Sequence, residues 1–189
     1  MIIIGITGTI GAGKGTIVEY LVEKGFQHYS ARDFIVEEIR RREMEIDRNS
    51  MTAIANELRK DHGPAFIIES LYNRALAKGE NAVIESVRTV GEIEMLRDKE
   101  GFYLFAIDAD IEKRYERIRL RGSSTDNVSF EEFRRDEERE MNNKDLFSQN
   151  LKACISKADY VFDNNSDIRS LHSEVERVLD EIVNIKANQ

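Results

Sequence analysis

An apolar run over residues 1–6 leads into Gly8-Thr9-Ile10-Gly11-Ala12-Gly13-Lys14-Gly15-Thr16, and Ile17-Val18-Glu19-Tyr20-Leu21-Val22 follows with its apolar residues at helical spacing. Strand, glycine-rich turn and helix in that order leave a chain few ways to fold. An apolar run without polar alternation is a buried strand, the kind found in a parallel sheet covered by helices. The turn then lies at the carboxyl edge of that sheet, where open α/β sheets place their ligands. Glycines let the backbone curl until successive N–H groups point inward at one oxyanion, and the helix that starts there adds its positive dipole end. Lys14 supplies a mobile charge for the β and γ phosphates of a nucleotide. The segment reads as a phosphate-binding loop of the Walker A type.

Further along, apolar runs of strand length recur between longer amphipathic stretches, the alternation expected of α/β architecture. Strands are expected over 2–7, 26–30, 81–86, 102–107 and 159–162. Helical patterns cover 14–23, 32–42, 50–60, 65–78, 90–97, 111–121, 130–142, 145–157 and 168–186. Ser129-Phe130-Glu131-Glu132 has the form of a capping box, Gly25, Gly79 and Gly101 stand where helices should end, and Pro64 suits a helix's first turn. With no repeat or linker in its 189 residues, the chain is expected to be one domain, 1–189. Gly122-Ser123-Ser124-Thr125-Asp126-Asn127 is too small and polar to join a core, and arginine-rich helices flank it, so 121–129 is expected to form a short lid.

Composition removes several function classes. A formal net charge of −8 argues against broad affinity for nucleic acid or an anionic membrane, so any basic site must be local. One cysteine, Cys154, excludes an internal disulfide and suits a reducing compartment. No apolar stretch approaches the roughly 18 residues of a membrane span. The expectation is a soluble, cytoplasmic protein, monomer or homodimer, acting on small nucleotides. His28, His62 and His172 show no metal-ligand spacing.

Phosphoryl transfer asks for positive charge and positioning around an anionic group moving between two oxygens. Glu85, at the end of the third strand, would reach the edge where the phosphate loop lies and could organise the water shell of Mg2+. Arg88 leaves the same edge in a loop, placed for a phosphate.

Five segments in order carry a resemblance. The loop Gly8 to Thr16 resembles that of adenylate kinases, and His28-Tyr29-Ser30-Ala31-Arg32-Asp33 resembles their second-strand motif. Val83-Ile84-Glu85-Ser86-Val87-Arg88-Thr89 is similar to their third-strand motif, Tyr115-Glu116-Arg117-Ile118-Arg119-Leu120-Arg121 to the helix before their lid, and Arg134-Arg135-Asp136-Glu137-Glu138-Arg139 to the arginines after it. Over most of its length the chain thus resembles the P-loop nucleoside monophosphate kinase group.

That resemblance implies a three-layer P-loop kinase fold: a five-stranded parallel sheet flanked by helices, a helical acceptor-binding region over 33–78, and a short lid. It implies transfer of the γ-phosphoryl of ATP, with Mg2+, to a nucleoside or deoxynucleoside monophosphate. ATP would be bound by Gly8, Gly11, Ala12, Gly13, Lys14, Gly15 and Thr16, with Asn164 near its base. Arg32, Asp33 and Arg88 would meet the acceptor, Glu85 would hold the metal through water, and Lys14, Arg88, Arg117, Arg121, Arg135 and Arg139 would neutralise charge in the transition state.

The sequence also departs from that pattern. Gly15 stands where a Walker loop offers its magnesium-binding Ser or Thr, and Val36 replaces an acceptor-side arginine for which Arg32 is the candidate substitute. Ala158-Asp159-Tyr160-Val161-Phe162-Asp163-Asn164 is similar to the end of dephospho-coenzyme A kinases, and Leu58-Arg59-Lys60-Asp61-His62-Gly63-Pro64 to phage-type deoxynucleoside monophosphate kinases. A sugar-hydroxyl acceptor needs a general base, for which Asp33 is the one candidate; a phosphate acceptor is already anionic and needs arginines. The alternatives are therefore dephospho-coenzyme A as acceptor, or a nucleotide-binding regulatory module with little transfer. Nothing in the sequence separates ATP from GTP.

Overall fold

The parallel sheet is built around β1 (Ile3–Gly8), whose six residues are all buried. The structure is a computed structural model and describes residues 1–122, 128–141 and 149–187. The other strands are β2 (Gln27–Ser30), β3 (Ala82–Glu85), β4 (Phe102–Asp108) and β5 (Tyr160–Asp163), in the order β2-β3-β1-β4-β5 with every pairing parallel. Alternation along each strand feeds two cores. Ile3, Ala82, Ile84 and Leu104 face one side, with helices α2 (Ala31–Arg41), α3 (Arg48–His62), α4 (Phe66–Lys78) and α5 (Val90–Arg97). Ile4, Ile6, Val83 and Phe105 face the other, with α1 (Lys14–Glu23) and α9 (Ile168–Ala187). Three further helices, α6 (Ile111–Arg121), α7 (Phe130–Met141) and α8 (Leu151–Ser156), complete the described elements. This is the three-layer α/β architecture expected from the sequence.

Register places the site. Ile6 lies opposite Glu85, Ser30 opposite Glu85, Gly8 opposite Ile107 and Asp108 opposite Asp163, so the ends of all five strands meet at one edge. Gly8 has φ 138° and an added Cβ would stand 2.1 Å from the Ile107 carbonyl oxygen, so β1 passes β4 there only without a side chain.

Boundaries differ from expectation where local hydrogen bonds decide them. β3 stops at Glu85 because Ser86 takes a left-handed φ of 73°, turning the chain out of the ladder at the site. Asp47 caps α3 by accepting from Ser50 N–H at 2.7 Å, so that helix begins two residues earlier than its apolar pattern indicated. α8 begins only at Leu151, where Asn150 accepts from Ala153 N–H at 3.0 Å; the rest of the helix expected over 145–157 falls partly on 142–148, outside the described residues. Most of the expected lid, 123–127, also lies outside them. The Ser129–Glu132 capping box is present in both directions, at 2.8 and 3.2 Å. Among the described residues no helix is long and apolar enough to cross a membrane.

Candidate functional site

The loop after β1 is fixed from behind. Thr9 donates its hydroxyl to Asp108 at 2.6 Å, and Asn164, buried at the end of β5, donates its amide N–H to the Ala12 carbonyl at 2.7 Å. Arg114 on α6 is 5% exposed and donates to the carbonyls of Ala109 (2.7 Å) and Ile10 (3.3 Å), while pairing with Glu137 of α7. Two of these bonds engage loop carbonyls, those of Ala12 and Ile10. Among the described residues no side chain caps α1, so its N-terminus is left open. Lys14 reaches back across the loop, donating to the carbonyls of Gly8 (3.0 Å) and Thr9 (2.7 Å). Burial, and next the Arg88 guanidinium, push its amine down to about 7.

Two cavities meet at the loop. One, about 320 Å3, is lined by Ser30, Arg32, Met51, Arg59, Arg88 and Phe133 among others. The other, about 980 Å3, runs along Gly13, Gly15, Thr16, Arg117, Asn164 and Asp167. Lys14, Glu85 and Arg121 line both. Glu85 lies 3.2 Å from His28 Nε2, and that hydrogen bond, helped by the charges of Lys14 and Arg88, holds its carboxyl below the usual range. Arg88 donates to Gln149 at 2.7 Å and stands 3.6 Å from Glu140. Arg117 spends one guanidinium N–H on the Asn164 carbonyl at 2.7 Å, and its buried Nη1 has no hydrogen-bond partner among the described residues.

Other expected residues are not brought here. Asp33 lies exposed on α2 and lines neither cavity; from the same helix Ile35, buried, and Arg32, exposed, line the first. Arg135 and Arg139 are exposed on α7, whose inward face carries Phe133, Asp136 and Glu140 at helical spacing, and Arg139 pairs with Asp136. Among the described residues, neither arginine lines either cavity. Asn164 reaches the second cavity's wall, but its amide N–H is held by the loop.

Residues 4–143 match the AAA domain family. A UPF0200 protein of Thermococcus kodakarensis is 31% identical over 189 residues, which span 97% of this chain and 98% of that one. The chain belongs to the UPF0200 family. Shikimate kinase from Bacteroides thetaiotaomicron covers 95% of the UPF0200 chain, and the chain covers 98% of it, with TM-score 0.54 at 18% identity. For dephospho-CoA kinase from Campylobacter jejuni the shares are 95% and 96%, with TM-score 0.51 at 18% identity. The fold is that of P-loop kinases.

Four residues at this UPF0200 site escaped the sequence reading. Arg59 on α3 and Glu92 on α5 form an ion pair under the first cavity, and Asp108 and Arg114 hold the loop. Thr89-Val90-Gly91-Glu92 does have the form of a capping box, a signal that was legible. Arg59 falls one turn after Ala55 on a face that lines the cavity, but only the fold shows which face that is.

Proposed function

We propose that the chain transfers the γ-phosphoryl group of ATP to a nucleoside or deoxynucleoside monophosphate. The observation that carries this reading is the pair of cavities with a common wall of Lys14, Glu85 and Arg121. A donor whose phosphates lie on the loop, in the larger cavity, presents its terminal phosphoryl to an acceptor in the smaller one. There the bond to the β-phosphate's bridging oxygen breaks as one forms to an oxygen of the acceptor's phosphate. Lys14 and Arg121 lie where charge builds on the group in transit, and electrostatic help at that point raises rate. Arg117 has an unspent N–H on the donor side.

The donor set suits magnesium held largely by phosphates and water. Among the described residues no cluster of His, Cys, Asp and Glu forms a metal cage, and Glu85 is kept ionised beside the loop, where it would orient water on the ion. Bound there, the metal would neutralise phosphate charge.

The acceptor side would be supplied by α2 and α3, which overlap the region 33–78, and by Arg32, Arg59 and Arg88. Three arginines fit an anionic acceptor. The candidate base for a hydroxyl, Asp33, lies outside the cavity, and the carboxylates that line it, Glu85, Asp136 and Glu140, stand with His28, Arg139 and Arg88. A coupled assay of nucleoside diphosphate formation over a panel of monophosphates, with dephospho-coenzyme A in parallel, tests the reading. Turnover with one or more monophosphates is expected; turnover with dephospho-coenzyme A alone would overturn it.

A further inference from the structure

Beneath the smaller cavity lies a carboxylate that makes no contact with either cavity yet organises one of them. Glu92 is fully buried, at 0% exposure, and Arg59 is 4% exposed. Each oxygen of Glu92 has separate work. Oε1 accepts from Arg59 Nε at 3.3 Å and Nη2 at 3.2 Å; Oε2 accepts from the backbone N–H of Arg88 at 2.8 Å and of Thr89 at 3.0 Å. One carboxylate thus ties α3 to the turn that carries Arg88, and both arginines line the same cavity.

Burying an ion pair is a poor route to stability, because desolvation offsets most of the attraction. The arrangement makes sense as orientation. An arginine whose Nε edge is engaged by a carboxylate presents its remaining N–H groups in a fixed fork, the geometry that suits a phosphate. With Arg59 fixed through Oε1 and the Arg88 main chain through Oε2, the spacing of two cations is set before an anion arrives, so little ordering is left for binding to supply.

Resting on the acceptor-side reading above, we infer that Arg59 is a second phosphate contact in the smaller cavity and that Glu92 is the positioning residue that sets both Arg59 and Arg88. The class of ligand is a phosphate dianion borne by the acceptor. Glu92 acts only through the two arginines and touches no substrate.

The test uses inorganic phosphate as probe, with the larger cavity saturated by a non-hydrolysable ATP analogue and magnesium, and follows binding by 31P line broadening. Phosphate affinity is expected to fall about tenfold in Arg59→Ala, in line with one lost charge-assisted contact. Arg59→Lys should keep part of it, and Lys60→Ala, at an exposed neighbour that lines neither cavity, should keep wild-type phosphate affinity. Glu92→Gln keeps an acceptor for the two main-chain N–H groups but releases Arg59, and should weaken phosphate severalfold while the affinity for the ATP analogue stays unchanged. A purely structural role would lower both affinities together. If Glu92→Gln fails to fold, the double variant Arg59→Met with Glu92→Gln removes both charges and keeps the volume, and the same phosphate-only loss is expected. Unchanged phosphate affinity in folded Arg59→Ala overturns the inference, as does wild-type protein that takes no phosphate with the ATP analogue bound. Either result is independent of the monophosphate panel, whose failure would strike the choice of acceptor and leave the phosphate contact standing.

Discussion

Lys14 is held in a place that opposes its own charge. Its ordinary value is 10.5 and the folded value about 7, so below pH 7 both states carry the proton and the fold bears the full cost of burying it. As pH rises from about 7 toward 10.5 the unfolded chain holds the proton more tightly than the fold, and stability grows. Lys14→Met should therefore have a higher Tm than wild type at pH 6.5, with the gap narrowing by pH 9.5, while turnover in the coupled assay is abolished. Gly13 and Gly15 make a paired prediction. Gly13 has φ 105° and an added Cβ would stand 2.3 Å from the Asn164 amide nitrogen, itself bonded to Ala12. Gly13→Ala should cost about 1–3 kcal/mol, measured by urea unfolding. Gly15→Ala, with nothing within 4 Å, should leave the unfolding midpoint where it is.

At the scale of elements, α7 shows where sequence legibility ends. Its residues read as a helix with alternating Arg and Glu, and its capping box was visible in Ser129 and Glu132. Which face turns inward depends on docking, and the buried stripe begins at Phe133, so Asp136 and Glu140 follow it while Arg135 and Arg139 face out. The same limit hid Arg114 among four arginines of α6; only packing chose that one for burial. By contrast β1, the loop and Lys14 were legible because glycine spacing and an unbroken apolar run report local geometry directly. Arg114 joins the loop carbonyl of Ile10 to Glu137 on α7. Replacing it with Met leaves that partly buried carboxylate and the Ala109 and Ile10 carbonyls without their partner, and Arg114→Met should lose about 1–3 kcal/mol of stability, read by urea denaturation.

Across the whole molecule, parallel pairing gathers five strand ends at one edge, and that much follows from the alternation of apolar runs with amphipathic stretches. The contents of the smaller cavity do not, since they come from α2, α3, α6 and α7, far apart in sequence. Hydrogen exchange can separate the two halves of the site. An ATP analogue with magnesium should slow exchange in 9–17 and near Asn164, and an acceptor monophosphate should slow it in α2 and α3. Protection of α2 and α3 by the ATP analogue alone, with none in the loop, would be contrary to the reading.

The common wall has a further consequence for anyone dissecting the protein. Lys14, Glu85 and Arg121 belong to both cavities, so a lesion in any of them registers as a fault in two ligands at once and tells the experimenter nothing about which came first. On the proposed reading, order of addition would be resolved from the outer walls, with Arg32 expected to report on the acceptor and Arg117 on the donor.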